Sequence, residues 1–278
     1  MSEMFGIDVA KWNGTIDWKH VAMSKSFAIL KVTNKSNHIE ELFETNYREA
    51  SKAGLIVGVY RYVYAKNTTM AKAEADAIVT ACKNKKIPFG VWLDMEDSSI
   101  KSVPKNQLTE IIKTEANILQ KAGLSVGVYC NKDWYDHVLD GKNLVNLYPF
   151  WIARYPSTDD GKYVATSQLN PKSFASAWQY SSKGHVDGVK GTVDLDVAFS
   201  DLRNIFVAHP TVRKYEVGNQ ARHLQTNLNR VIEAGLEPDG KFGPKSVAAL
   251  KKWQSVTGLN ADGVYGPLSY QAMRKILA

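Results

Sequence analysis

A nine-residue stretch occurs twice in the sequence, and this repeat constrains the fold more than any other feature. Residues 52–60 read KAGLIVGVY and residues 121–129 read KAGLSVGVY. In each copy a glycine follows a stretch with helical spacing, as is common where helices end, and the apolar run that closes on tyrosine is typical of a strand. The repeat therefore predicts two similar helix-to-strand units.

Strands and helices alternate along the chain on both sides of these two units. Apolar periodicity predicts further strands at 5–12, 27–33, 89–97, 150–155, 174–181 and 193–199, and helices at 40–53, 69–85 and 106–122. About eight strands with fewer helices indicate an α/β fold, an irregular TIM-like (β/α) barrel with reduced late helices. An open doubly wound sheet is the alternative fold.

The sequence pattern of residues 219–278 predicts a separate, small three-helix C-terminal domain. Two similar turns, DGKFGP at 239–244 and DGVYGP at 262–267, each lead into a stretch with helical spacing, and a further helix precedes them. The stretch before this unit loses all periodicity, which indicates a linker. The predicted boundaries are 1–203 for the first domain, 204–218 for the linker and 219–278 for the small domain.

The strand at 89–97, FGVWLDMED, carries two acids on one face. Asp94 and Glu96 are two residues apart, so their side chains point the same way and lie roughly 6 to 7 Å apart along the backbone. Two carboxyl groups at such a distance suit glycoside hydrolysis, in which one protonates the leaving oxygen. The alternative is an exposed edge strand whose acids face only solvent.

Other strands place acids and aromatic residues on shared faces. Asp8 and Asp194 join the two acids above, and burying several unpaired carboxylates costs several kcal/mol each, which favours a site. The same alternation predicts aromatic side chains inside the barrel or at one mouth, as a carbohydrate cleft. The candidate substrate-binding residues are Tyr60, Tyr62, Trp92, Tyr129, Trp151, Trp178 and Tyr180. For each of them, filling the core is the alternative role.

Composition and charge narrow the classes of function. The apolar fraction of 44% and the charged fraction of 23% are ordinary for a soluble globular protein. Histidines and cysteines are scattered without ligand spacing, so we predict no metal and no cofactor. Of the net charge of +7, residues 204–278 carry +5, which suits an anionic polymer such as nucleic acid or bacterial cell wall.

Several motifs then occur in an order that carries a family resemblance. They are GIDV at 6–9, IDW at 16–18, WLDME at 92–96, GVYCN at 127–131, WIA at 151–153, WQY at 178–180 and VDLD at 193–196. Through them residues 5–203 resemble glycoside hydrolase family 25, the lysozymes that cleave after N-acetylmuramic acid.

The end of the chain resembles a second family. Residues 219–278 resemble a peptidoglycan-binding module, a cell-wall anchor, through their two repeated turns. The turn residues that carry this resemblance are Asp239, Gly240, Phe242, Gly243, Asp262, Gly263, Tyr265 and Gly266. The two parts together resemble a bacteriophage endolysin.

The resemblance implies roles for individual residues. Glu96 would be the general acid, with Asp94, Asp8 and Asp194 around the scissile bond. A covalent carboxylate nucleophile, the acetamido group of the substrate and water all remain open as the attacking group. Two positions depart from the family pattern, which often has Ser at the position of Ala10 and His at that of Arg61.

The leading interpretation is an endolysin that hydrolyses the β-1,4 bond between N-acetylmuramic acid and N-acetylglucosamine in bacterial peptidoglycan. Alternatives are a hydrolase of another amino-sugar polymer such as chitin, and a non-catalytic wall-binding protein. Nucleic-acid binding is disfavoured because the basic tail lacks a recognised motif. Since no leader or membrane-spanning stretch is found, we expect the chain to stay in the host bacterial cytoplasm until a membrane-permeabilising partner releases it. The oligomeric state stays open.

Overall fold

The computed structural model describes residues 3–145, 147–203 and 212–277. The chain divides into two compact units, Met1–Val207 and Ala208–Ala278. No helix within the described residues has the length and apolar character needed to cross a membrane.

Eight strands of the first unit form a closed barrel in the order of the chain. They are β1 (Met4–Val9), β2 (Phe27–Lys31), β3 (Ile56–Tyr62), β4 (Val91–Asp94), β5 (Val126–Asn131), β6 (Phe150–Ala153), β7 (Ala177–Gly184) and β8 (Val193–Ala198). Strands β1 to β7 pair in parallel with their neighbours, whereas β8 pairs antiparallel with both β7 and β1. The predicted irregular barrel is confirmed, and closure rules out the open sheet.

The long helices of the first unit lie between β2 and β5, and the described helix after β5 is short, as predicted. The described helices are α1 (Trp18–Val21), α2 (Phe43–Lys52), α3 (Thr68–Cys82), α4 (Lys105–Lys121) and α5 (Gly141–Leu144). The repeated junction occurs twice as expected, since Gly54 and Gly123 have φ of +87° and +84° and lie two residues after the last residues of α2 and α4. This left-handed conformation favours glycine and ends each helix before the next strand begins.

The interior of the barrel holds a layer of aromatic side chains below its acids. Phe27, Phe89, Trp92, Tyr129 and Trp151 belong to one buried cluster. The rings of Trp92 and Trp151 meet edge to face with centroids 5.8 Å apart, a favourable aromatic geometry. The barrel is therefore a packed core with its polar groups collected toward one mouth, as in other (β/α) barrels.

The reversed direction of β8 brings two acids to that mouth. The carboxyl ends of β1 to β7 share one face of the barrel, and an antiparallel strand begins where its neighbours end. Asp194 is the second residue of β8 and lies directly opposite Asp8, near the end of β1. The reversal thus places an acid from the start of one strand beside acids from the ends of others.

The second unit contains three helices within its described residues, α6 (Asn219–Ile232), α7 (Pro244–Val256) and α8 (Pro267–Leu277). Two isolated antiparallel bridges, Val212 with Tyr265 and Val217 with Lys241, join the stretch before α6 to the two repeated turns. Residues 212–218, predicted to lie in the linker, are thus hydrogen-bonded to the second unit. The predicted linker residues 204–211 lie outside the described residues.

Each repeated turn is built around one buried glutamine. The side-chain amide of Gln225 donates to Asp239 Oδ1 at 2.9 Å, and its carbonyl accepts from the Gly240 N–H at 2.9 Å. Gln254 makes the same bonds to Asp262 at 3.0 Å and to the Gly263 N–H at 2.9 Å.

The other turn residues also have structural roles. Gly240 and Gly263 have φ of +77° and +75°, which favours glycine at both positions. Phe242 and Tyr265 are buried. The turn residues that resemble a wall-binding module therefore hold this unit together.

Replacing Gln254 by methionine is expected to destabilise the second unit by about 2 to 4 kcal/mol. The Gln254 side chain forms four hydrogen bonds, namely the two described above and two more to the Val264 carbonyl and Ser269 Oγ. Each buried hydrogen bond contributes about 1 kcal/mol to stability. Hydrogen exchange of peptides from α6 to α8 in the full chain measures the loss. The exposed Gln220→Met is the control, and equal exchange in both variants would refute this structural role.

Candidate active site

Four carboxyl groups come together at the mouth where β1 and β4 end and β8 begins. Asp8 and Asp94 are only 7% and 3% exposed, whereas Glu96 and Asp194 are half-buried and so remain open to a ligand. Burial and repulsion from Asp194 both raise the pKa of Glu96, and burial followed by repulsion from Asp194 raises that of Asp8. The predicted acids therefore form one electrostatically coupled cluster.

The acids differ in exposure and in partners. Burial raises the pKa of Asp194 to about 6, and the charge of Asp159 adds to this effect. Burial also raises the pKa of Asp94, with repulsion from Glu96 second, and its Oδ1 has no hydrogen-bond partner among the described residues. Glu96 thus combines access from solvent with a pKa raised above its ordinary value, two properties that suit a proton donor.

Gln179, in the middle of β7, links the acids to two tyrosines. Its amide nitrogen donates to Asp8 Oδ2 at 2.6 Å, and its carbonyl oxygen accepts from the Tyr129 hydroxyl at 2.8 Å and from the Tyr155 hydroxyl. Because both ends of the amide are bonded, the Asp8 carboxyl is held in one orientation. Gln179 is a positioning residue that was not among the predicted site residues.

Asp196, two residues after Asp194, lies deeper in the barrel. It is fully buried and accepts a hydrogen bond from Trp151 Nε1 at 3.0 Å. Burial and then the charge of Asp194 raise its pKa. This acid therefore connects the aromatic layer to the cluster above it.

Lys31 places a positive charge close to Asp94 and Glu96. The Lys31 ammonium, at the end of β2, lies 5.7 Å and 5.3 Å from the ring centroids of Tyr60 and Tyr62. Its charge lowers the pKa of both Asp94 and Glu96, against the raising effect of burial. Lys31 thus tunes the protonation of the two acids that the sequence places on one strand face.

Replacing Lys31 by methionine is expected to move the pH profile of activity to higher pH. Without the cation the pKa values of Glu96 and Asp94 both rise, so Glu96 stays protonated, and Asp94 ionises, at higher pH. Initial rates on purified cell wall across pH measure the shift. The exposed Lys35→Met serves as control, and an unmoved profile in Lys31→Met would contradict this role.

The structure separates the predicted aromatic residues into groups with different roles. Tyr60 and Tyr62 are half-buried near the acids and remain candidates for substrate contact. Trp92 is fully buried, with its Nε1 donating to the Phe89 carbonyl at 3.0 Å, and Trp151 is buried beside it. The predicted substrate contact of these two tryptophans is therefore corrected to a packing role, while buried Tyr129 serves the Gln179 network.

Trp178 and Tyr180 lie on the opposite face of β7 from Gln179. Their rings pack with Tyr163 outside the barrel, with centroids 5.8 Å and 5.3 Å from it. Alternation along this strand predicted them inside the barrel or at one mouth, with the aromatic face as the inner one. That assignment is corrected, since the residue between them is the one that bonds Asp8.

Two parts of the chain match known protein families. Residues 7–189 match the family described as "Glycosyl hydrolases family 25", which covers more than half of the chain. The chain belongs to glycosyl hydrolase family 25. The predicted family is thereby confirmed, and the protein is a glycoside hydrolase. Residues 217–273 of this family 25 hydrolase match the family described as "Putative peptidoglycan binding domain".

Relatives of this family 25 hydrolase include bacterial lysozymes. The "Autolytic lysozyme" of Clostridium acetobutylicum is 29% identical over 258 residues, which cover 92% of this chain and 74% of that protein. "Lysozyme M1" of Streptomyces globisporus is 29% identical over 203 residues, covering 68% of this chain and 65% of its own length.

Solved structures share the fold of the first unit. The bacterial lysozyme from Streptomyces coelicolor superposes with a TM-score of 0.59 at 25% identity, covering 74% of this chain and 97% of that one. The catalytic domain of an endolysin from a Listeria monocytogenes bacteriophage, P40, gives a TM-score of 0.61 at 22% identity over the same shares of the two chains.

Arg61, one departure from the family pattern, faces away from the acids of this family 25 hydrolase. It is fully buried on the outer side of β3, within 3.4 Å of Glu74. It donates to Asn37 Oδ1 at 2.7 Å and to the Asn34 carbonyl. The substitution therefore supports the loop after β2 and leaves the acid cluster intact.

A cleft of ≈ 720 Å³ lies elsewhere on the first unit, between α1, α2 and residues 188–190. It contains Asp17, whose carboxylate caps α1 by accepting from the Lys19 and His20 N–H groups. None of the four clustered acids lines this cleft. The cleft is therefore separate from the acid cluster.

Proposed function

We propose that this chain hydrolyses the β-1,4 bond between N-acetylmuramic acid and N-acetylglucosamine in bacterial peptidoglycan. The observation that carries the proposal is Glu96, a half-buried carboxyl with a raised pKa at the rim of a cluster of buried acids. A glycosidase needs one such protonated acid beside a second carboxyl group. The names of the two lysozyme relatives support the choice of polymer.

In the proposed reaction Glu96 donates its proton to the glycosidic oxygen as the bond to the muramic acid carbon breaks. Asp94, the last residue of β4 and two residues before Glu96, supplies negative charge to the oxocarbenium-like carbon. Asp8 is fixed by Gln179 and faces Asp194 across the β1 and β8 pair, so both lie on the other side of the mouth. The attacking group remains one of the three named above.

The second unit would keep the enzyme on its polymer. A tethered binder raises the local concentration of the catalytic unit at the wall, since each rebinding event becomes intramolecular. The net charge of +5 on residues 204–278 adds electrostatic attraction to anionic wall polymers. The match of residues 217–273 to a peptidoglycan binding family supports this role.

Digestion of two polymers tests the proposal against its alternative. Purified peptidoglycan and chitin, each incubated with the chain, are compared by the rate at which new reducing sugar ends form. We expect rapid release from peptidoglycan and none from chitin. The reverse order would assign the barrel to chitin, and binding of wall without any new ends would make the chain a non-catalytic wall protein.

We also propose that the chain acts as an endolysin, made in the host bacterial cytoplasm and released to the wall by a membrane-permeabilising partner. The fold shared with the phage P40 domain supports this role. Expression in a bacterial host, with and without a separately induced pore-forming protein, tests it by culture turbidity. Lysis only when both are induced is expected, and lysis by the chain alone would remove the need for a partner.

A further inference from the structure

The side chain of Trp12 is far more exposed to solvent than is usual for tryptophan. Trp12 lies in the 3-10 turn Lys11–Asn13, directly after β1 and four residues after Asp8, and its side chain is 82% exposed. Tryptophan is highly buried on average because exposing its ring to water is unfavourable. A fully presented indole next to an active site therefore suggests a ligand.

The turn that carries Trp12 is held in place on several sides. The Ala10 N–H donates to Asn13 Oδ1 at 2.9 Å, and the Asn13 N–H donates back to the Ala10 carbonyl at 3.1 Å. From the next loop, Glu40 Oε1 accepts from the Lys11 N–H at 2.8 Å. The backbone is thus fixed before any ligand arrives, which lowers the entropy lost on binding.

One face of the indole already carries a cation. Lys11 Nζ lies 4.9 Å from the ring centroid and within 3.5 Å of Glu41, so the ammonium is positioned over the ring. The high exposure of Trp12 leaves much of the ring open to solvent. An open, electron-rich aromatic face attracts the polarised C–H groups on one side of a pyranose ring.

The turn lies at the rim of the acid cluster. Glu40, which anchors the turn, is close enough for its charge to act on Lys31 and Tyr60. Those two groups also feel the charge of Asp94. A glycan strand whose scissile bond lies at the acids can therefore extend past the indole.

We propose that Trp12 is a stacking platform for one amino-sugar pyranose of the glycan strand, outside the subsites that flank the scissile bond. The inference rests on the proposed function for its substrate class. It assigns to Trp12 a contact with the polymer that raises affinity without taking part in bond cleavage. The ligand is the sugar backbone itself, so the contact needs no stem peptide.

Oxidative footprinting gives a local test in the Glu96→Gln chain. Met23 has the same 82% exposure as Trp12 and oxidises readily, but it lies before β2 at the opposite end of the barrel, which makes it an internal control. Peptide-free glycan strands are expected to protect Trp12 from hydroxyl radicals by roughly threefold or more and to leave Met23 unchanged. Equal oxidation of Trp12 with and without strands would overturn the inference.

Kinetics of substituted chains give the second test. On peptide-free strands, Trp12→Ala is expected to raise KM by roughly tenfold with kcat little changed, whereas Trp12→Tyr keeps most of the affinity because it retains an aromatic face. Met23→Ala should match the wild type. An unchanged KM in Trp12→Ala would overturn the platform.

The two tests separate this inference from the proposed function. If the wild type does not cleave peptidoglycan but glycan strands still protect Trp12 from oxidation, the muramidase proposal is wrong and the stacking role of Trp12 is supported. If the wild type cleaves peptidoglycan and Trp12 is not protected, the stacking role is wrong and the muramidase proposal is supported.

Discussion

The Glu96→Gln variant is expected to lose about 10³-fold in activity on purified peptidoglycan, while its affinity for the wall stays close to that of the wild type. Glutamine keeps the shape of the side chain, but its amide is too weak an acid to transfer a proton to the leaving oxygen. Burial already favours the neutral form of Glu96, so the neutral amide is expected to leave the fold intact. Release of soluble fragments and wall pelleting measure the two quantities.

The matched control for this variant is Glu110→Gln, an exposed glutamate on α4. It makes the same chemical change away from the acid cluster, and its activity should equal that of the wild type. Residual hydrolysis by Glu96→Gln within tenfold of the wild type would remove Glu96 from its role as proton donor.

The Asp94→Asn variant is expected to be more stable than the wild type at neutral pH and to lose about 10²-fold in activity. Burial raises the pKa of Asp94 in the folded chain, so ionising it costs stability as pH rises above its unfolded pKa of about 3.9. Asparagine removes that cost but also removes the negative charge beside the reacting carbon. Thermal unfolding and initial rates on cell wall measure the two effects.

A stability measurement at low pH is the control for this prediction. At pH 3 Asp94 is protonated in both the folded and the unfolded states, so the stability difference between Asp94→Asn and the wild type should vanish there. Asp187→Asn, the same chemical change at an exposed position, should lack the gain at neutral pH. A destabilised Asp94→Asn at pH 7 would contradict the account of a buried, repelled carboxyl.

The barrel could be predicted because its signals are local. Gly54 and Gly123 end helices with φ of +87° and +84°, as the repeated stretch indicates, and alternation along β4 sets Asp94 on the inner face. The direction of β8 could not be predicted, because period-two alternation is the same for parallel and antiparallel strands. That direction decides which end of β8 meets Asp8.

Alternation alone does not say which face of a strand is the inner one. Along β7 the large aromatic residues Trp178 and Tyr180 suggested a ligand-facing side, yet tertiary packing turned Gln179 inward. An amide between two aromatic residues, in a strand whose partner carries two acids, was the available signal. Gln225 and Gln254 were also missed, because helical spacing does not show which polar side chain of a helix reaches the turn that follows it.

The most direct test of the central claim is mass spectrometry of peptidoglycan digested in water enriched in ¹⁸O, with the wild type and with Glu96→Gln. The account predicts soluble fragments that end in reducing N-acetylmuramic acid carrying one ¹⁸O atom, formed by the wild type alone. Labelled reducing ends on N-acetylglucosamine, or free peptides in place of glycan fragments, would contradict it.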